Sequence, residues 1–262
     1  MKYFICVGHA NYGGGVISSA DGSNKGGVNE YKYNKELAPY VCKWLKAAGH
    51  EATLCIAPEG QLHSLNDEIK YFIEEEHKQN YDLSVQLHLN AFNGSAYGCE
   101  VYAYNNAGLQ VAQRISAKLG TIWYNRGAEI RTGLYWTRKT KAMAVLVESF
   151  FCDNKDDYVK AQKLGMDAHG KLIAEGILGK TITIASAQKA KYYIQAGAYS
   201  LKENATDQVA ELKKAGFSAS IRIVSGSVPY RVQVGTYRTK KTSNKVVKKL
   251  KAAGFQVLVK KL

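Results

Sequence analysis

The sequence has no apolar run long enough to cross a bilayer. The longest, such as Ala144-Val145-Leu146-Val147, are short and bounded by polar residues, so they read as buried strands. Cysteine is sparse: Cys6, Cys42, Cys55, Cys99 and Cys152 are scattered, odd in number and without CxxC spacing. That excludes a disulfide framework and a structural cysteine–zinc site, and leaves the thiols as small buried hydrophobes. No signal peptide is expected either. The stretch from Met1 to His9 has too short an apolar core and no small-residue cleavage site after it, so it reads as a first strand. The expectation is a protein made in the cytoplasm.

Acidic residues are nearly missing from the last third. Residues 181–262 hold 3 Asp and Glu against 16 Lys and Arg, a net of +13. Residues 1–180 hold 19 against 20, a net of +1. One segment therefore holds nearly all the excess charge and is suited to a polyanion. Nucleic acid, anionic lipid and acidic wall polymers all meet that criterion. A length of 262 residues fits two unequal domains. The small-residue stretch 181–189 reads as a linker between domains at 1–180 and 190–262.

What is present in the last third is a repeat. Tyr192-Tyr193-Ile194-Gln195-Ala196-Gly197-Ala198-Tyr199 returns 38 residues later as Tyr230-Arg231-Val232-Gln233-Val234-Gly235-Thr236-Tyr237. The same offset maps Leu212 onto Leu250 and Gly216-Phe217 onto Gly254-Phe255. Each unit reads strand, helix, glycine, strand, and two units make a small α+β ferredoxin-like sheet with both helices on one face. Strict alternation points Ile194, Ala196, Ala198, Val232 and Val234 toward the helices. It leaves Tyr193, Gln195, Tyr199, Gln233 and Tyr237 on an open face suited to stacking on sugars or bases. No RNP-like aromatic run occurs, so nucleic acid is not the expected partner.

The first 180 residues alternate strand and helix patterns, which implies an α/β sheet flanked by helices. Tyr3–Val7, Ala52–Ala57, Leu83–Leu89, Cys99–Tyr104 and Ala144–Phe150 read as strands. Tyr33–Ala48, Leu65–Lys78, Leu109–Leu119 and Asp156–Leu178 read as helices, the first with a potential kink at Pro39. His9 and His88 fall at strand ends, where functional residues of open α/β sheets collect. His50, His63, His77 and His169 fall in helix ends or polar stretches and receive no role. Glu30 opens the first helix pattern, where a carboxylate also favours the helix dipole. Glu148 interrupts the most apolar strand, so it must be paired, metal-bound or functional. Two histidines and a carboxylate with an open fourth position make a catalytic zinc set, and a further carboxylate can move the proton. Spacing alone leaves that set unproven.

Resemblance to known families supplies the rest. The paired Tyr-x-Gln-x-Gly-x-Tyr-type motifs and the paired Gly-Phe resemble the SPOR family, whose modules bind bacterial peptidoglycan. Residues 1–180 resemble the type 3 N-acetylmuramoyl-L-alanine amidases. That similarity rests on Val7-Gly8-His9, Asn29-Glu30, His88-Leu89-Asn90, Gly98-Cys99-Glu100-Val101-Tyr102, Asn125-Arg126-Gly127 and Val147-Glu148-Ser149-Phe150-Phe151, in the family's order and spacing. It implies a phosphorylase/hydrolase-like fold, zinc (Zn2+) on His9, Glu30 and His88, Glu148 as catalytic carboxylate, and substrate contacts from Asn90 and Arg126. Most members have Asp-Pro-Gly-His-Gly at the first motif. Cys6-Val7-Gly8-His9-Ala10 instead looks like the catalytic domains of clostridial phage lysins. The resemblance thus implies hydrolysis of the amide between N-acetylmuramic acid and L-alanine, with peptidoglycan as substrate and SPOR ligand and no membrane insertion. The expected setting is a phage or prophage endolysin reaching the wall through a holin or cell lysis. Two rival readings are a cytoplasmic amidase that lyses the mother cell in sporulation and a non-catalytic wall-binding protein. The sequence does not set an oligomeric state.

Overall fold

The computed structural model describes residues 1–183, 192–237 and 239–262, so residues 184–189 of the expected linker lie outside the described residues. The chain divides into two compact units, Met1–Ile182 and Thr183–Leu262.

In the first unit, β1 (Lys2–Val7), β4 (Glu51–Cys55), β5 (Leu83–Asn90), β6 (Cys99–Ala103), β7 (Asn125–Ile130) and β8 (Ala144–Phe151) form one sheet in the order β4-β1-β5-β8-β6-β7. β1, β4, β5 and β8 are parallel, β6 runs antiparallel to β8, and β7 is parallel to β6. Both faces are covered, which is why the central strands read as near-continuous apolar runs. Tyr3, Ile5, Val7, Val85 and Leu87 face one core with residues of α1 (Glu30–Ala47), α3 (Asn106–Leu119) and α6 (Met166–Leu178). Phe4, Cys6 and Leu146 face a second core with Phe72 of α2 (Leu65–His77) and Trp136 of α4 (Tyr135–Lys139). All five cysteines are free and buried.

Several elements differ from the sequence reading. The helix expected over Asp156–Leu178 is two helices, α5 (Lys155–Leu164) and α6, separated at Gly165, whose φ of 75° a side chain would resist. β7, α4 and the short hairpin β2 (Asn11–Gly13) and β3 (Val16–Ile17) lacked a clear period and were not expected. α1 continues through Pro39, which is exposed, so the carbonyl it leaves without an N–H partner can reach water. His169, which comes from a polar stretch of sequence, is fully buried in α6.

In the second unit, β9 (Tyr192–Tyr199), β10 (Ala219–Ile223), β11 (Tyr230–Tyr237) and β12 (Leu258–Lys261) form an antiparallel sheet in the order β10-β11-β9-β12. Ile194, Ala196, Val232 and Val234 face a core with Leu212 of α7 (Lys202–Lys214) and Leu250 of α8 (Lys240–Ala252). The expected alternation fails beyond them. The register slips by one residue between Val232 and Gln233, and again between Val234 and Thr236. A bulge inserts one unpaired residue and exchanges the two faces downstream of it. Tyr199 and Tyr237 therefore pack against the helix-side core, and Ala198 is exposed. Tyr193, Gln195 and Gln233 keep the open face, where the Arg222 guanidinium lies 5.3 Å from the Tyr193 ring centre.

His169 generates a test of the first core. Its Nδ1 is 2.9 Å from Tyr33 Oη, its ring lies against Trp123 and Phe150, and its Nε2 has no partner. Burial pulls its pKa down to about 3. An unfolded histidine titrates near 6.5, so as pH falls the unfolded chain takes up the proton first. Stability is then lost from about pH 6.5 downward to about pH 3, at about 1.4 kcal/mol per pH unit from this residue. His169→Gln removes that proton. Denaturant unfolding should show the parent losing about 2 kcal/mol more than the variant between pH 7 and pH 5. Equal losses would contradict the assignment.

Candidate metal centre

The carboxyl ends of β1, β5 and β8 meet at one edge of the sheet, and His9 follows β1 after the single residue Gly8. His9 has φ 68°, the only positive φ at a non-glycine among the described residues. That conformation is strained and turns the chain sharply away from the strand. The hairpin after it returns Ser18, whose Oγ accepts from Ala10 N–H at 3.0 Å and lies 3.5 Å from His9 Nδ1. Gly8 is a packing requirement of the same corner, because a Cβ there would collide with the His88 imidazole.

Glu30 is the first residue of α1, placed there by the Asn29 cap, whose side chain accepts from Lys32 N–H. Its buried carboxylate accepts from the amides of Ala20 at 3.3 Å and Leu89 at 3.0 Å. The same carboxylate lies 2.9 Å from His88 Nδ1 and 3.2 Å from His9 Nε2. Burial alone would raise its pKa, yet the two imidazoles outweigh burial and hold it well below the usual carboxylate range. Burial lowers His88, outweighing its bond to Glu30. At His9 burial also works downward, but Glu30 wins and the net shift is upward.

The atoms of His9, Glu30 and His88 that could hold a metal all lie within 4.8 Å of one another. Two imidazoles and one carboxylate suit a borderline divalent cation such as zinc. Ligation requires an ionised carboxylate and neutral imidazoles: Glu30 is held ionised and burial favours neutral His88, while Glu30 favours a proton on His9 that a bound cation would displace. His88 Nε2 is buried without a partner.

Glu148 sits beside this cluster by strand register. It pairs with His88 of β5 on one side and Glu100 of β6 on the other, so three polar side chains form one row across the sheet. Its Oε2 is buried and has no hydrogen-bond partner. Burial raises its pKa well above the carboxylate range, helped by the charges of Glu30 and Glu100 and opposed by Arg131. Glu100 had no assigned role from sequence, yet it ties in two residues that did. It accepts from Asn90 Nδ2, and Arg126 Nε lies 3.4 Å from its other oxygen. The signal available was a charged residue on the same face as Tyr102 in a buried strand.

A cavity of about 220 Å³ opens beside His9 and His88, lined also by Glu68, Phe72, Trp136 and Leu146. Glu68, another residue that sequence reading missed, is buried there with Oε1 unpartnered. The site thus brings together His9, Glu30 and His88, with Glu148 one strand across and Asn90 and Arg126 gathered on Glu100. The tyrosines and glutamines of the second unit belong to a separate sheet.

Comparison with known proteins agrees with this geometry. Residues 4–179 match the N-acetylmuramoyl-L-alanine amidase family model, and residues 188–261 match the SPOR domain. The catalytic domain of the CD27L endolysin targeting Clostridium difficile is 48 % identical, with a TM-score of 0.67, over 70 % of this chain and 99 % of that one. Cwp6 from Clostridium difficile is 25 % identical, with a TM-score of 0.58, over 70 % of this chain and 29 % of that one. An uncharacterised protein of Clostridium perfringens is 32 % identical over 59 % of this chain and 47 % of its own length. The chain therefore spans less than half the length of the curated relatives it matches. With about two thirds of its length matched by the family model and a converging His-Glu-His set at the edge of its sheet, the chain belongs to the N-acetylmuramoyl-L-alanine amidase family and bears a C-terminal SPOR domain.

Proposed function

We propose that this protein is a zinc-dependent amidase that cleaves the bond between the lactyl group of N-acetylmuramic acid and L-alanine in bacterial peptidoglycan. The observation behind this reading is the convergence of His9, Glu30 and His88 beside the partnerless Glu148 carboxylate. His9, Glu30 and His88 hold the zinc. When bound, zinc supplies Lewis acidity to the scissile carbonyl and to water. Glu148 Oε2 takes the proton of the attacking water and passes it to the amide nitrogen as that nitrogen leaves. Desolvation makes it a stronger base than an exposed carboxylate, and its row position beside His88 keeps it near the reacting atoms. Asn90 and Arg126, gathered by Glu100, contact the substrate from the far side of Glu148.

The second unit holds the enzyme on the wall. Tyr193, Gln195 and Gln233 on its open face offer a ring and two amides to a glycan strand, and proximity then raises the effective substrate concentration for the catalytic unit. The chain at 181–189 joins the two. The 48 % identity to an endolysin catalytic domain supports a role as a phage or prophage endolysin that acts on the wall after release.

Three outcomes are expected. Chelation should abolish wall lysis and added zinc should restore it, while His88→Ala should lose both metal and activity by elemental analysis and turbidity assay. Full activity in a metal-free sample contradicts the zinc assignment.

Glu148→Gln should purify folded with zinc bound, yet cleave soluble muropeptides about 10²–10⁴-fold more slowly, the usual worth of a general base. Loss of zinc in this variant would make Glu148 a ligand or a ligand support instead.

Full-length protein with Gln195→Ala and Gln233→Ala should retain its rate on soluble muropeptides and lose the salt-resistant part of its binding to purified walls. Unchanged binding in cosedimentation at high salt would remove the open face from the wall interaction.

A further inference from the structure

The two halves of the second unit share a core and differ in charge. At the 38-residue offset, Leu212 of α7 and Leu250 of α8 are equivalent, and both are fully buried. The exposed positions are not equivalent in chemistry. Glu203, Asp207 and Glu211 of α7 become Lys241, Lys245 and Lys249 of α8, and Ala210 becomes Lys248. Those three carboxylates are the only ones between residues 181 and 262. α7 therefore holds three lysines against three carboxylates, and α8 holds six lysines against none. The fold does not require this charge, because α7 makes the same packing without it.

The lysines are also placed as one surface. Ser243, Val246, Val247 and Leu250 mark the side of α8 that packs on the core. Lys240, Lys241, Lys245, Lys248, Lys249 and Lys251 are all exposed, and helical periodicity puts Lys241, Lys245, Lys248 and Lys249 on the opposite half of the helix with Lys240 and Lys251 along its flank. They span about 17 Å of helix axis. This surface is on the helix side of the sheet, away from Tyr193, Gln195 and Gln233.

From these observations we infer that α8 is a second binding surface, specific for a linear phosphodiester polymer of the cell wall. The inference rests on the wall-directed function proposed above. Lysine ammonium groups are compact point charges on flexible stems and can follow a mobile chain of phosphates without fixed geometry. The other exposed residues among them, Thr242, Asn244 and Ala252, offer no ring on which a base could stack. They also offer no large apolar group to enter an acyl layer. A nucleic acid or an anionic membrane would thus gain only unspecific attraction. The repeat gives the module two faces with separate duties, an uncharged polar sheet for glycan and a cationic helix for phosphate.

The test uses the full-length protein and its triple variant Lys241→Glu, Lys245→Asp and Lys249→Glu, which restores the α7 pattern. A charge-matched control replaces Lys202, Lys213 and Lys214 of α7 by glutamate. Binding is measured to soluble poly(glycerol phosphate), to walls before and after removal of phosphate polymers with hydrofluoric acid, to phosphatidylglycerol vesicles and to single-stranded DNA. Circular dichroism and the rate on soluble muropeptides report folding and chemistry. The α8 variant should keep that rate, lose at least tenfold in affinity for poly(glycerol phosphate) and untreated walls, and match the parent on extracted walls. The control should lose less than threefold. Equal losses in both variants, no loss in the α8 variant, or tighter parental binding to vesicles or DNA than to the polymer would overturn the inference. Absence of amidase activity in the parent would instead strike the proposed function, while the binding comparison would still read out.

Discussion

The buried carboxylate of Glu30 organises the first unit. An ion at that depth is costly unless every oxygen is satisfied. Here two imidazoles and two backbone amides converge on it. Those donors come from the turn after β1, the loop before α1 and the end of β5, so satisfying one anion fixes the relative position of three segments. The left-handed backbone at His9 and the bare Cα of Gly8 are local costs accepted so that both rings can reach the same carboxylate, one at each oxygen. A strained corner and an obligatory glycine at a strand end are what such a convergence looks like in backbone terms.

The second constraint is the register of the sheet. A side chain at a strand end has neighbours chosen by pairing, not by sequence distance. His88, Glu148 and Glu100 lie far apart in the chain and side by side in the row. β6 runs against its neighbour, so it begins where the parallel strands end and delivers Glu100 to the site edge at its own start. Burial, with the charges of Glu30 and Glu100 beside it, raises Glu148, whereas two imidazoles lower Glu30, and this separates in basicity two carboxylates at one edge of the sheet.

The parts legible in the sequence were those with a strong period or an out-of-place residue. Apolar runs gave the central strands, and a charge inside the most apolar of them marked Glu148. The 38-residue repeat gave the second sheet and its helices. What stayed hidden depended on single-residue geometry. Gly165 splits one long helical pattern in two, since a period of 3.6 does not announce a break that preserves phase. The bulges of β9 and β11 moved Tyr199 and Tyr237 across the sheet, and one inserted residue leaves no trace in composition. Gly235, with φ 62°, was visible in the repeat but reads equally as a flat ligand contact. His169 was passed over because its neighbours in sequence are polar, whereas its neighbours in space are Tyr33, Trp123 and Phe150.

The buried cysteines have a consequence for where such a molecule can operate. Burial raises the Cys6 thiol, and takes those of Cys42 to about 11 and of Cys99 and Cys152 to about 12. Oxidation proceeds through an accessible thiolate, and these groups are neither accessible nor ionised at neutral pH. The fold contains no disulfide to be reduced and exposes no cysteine thiol to be oxidised. Its integrity is therefore indifferent to redox potential, and the same conformation can pass from a reducing interior to an oxidising exterior without any covalent adjustment.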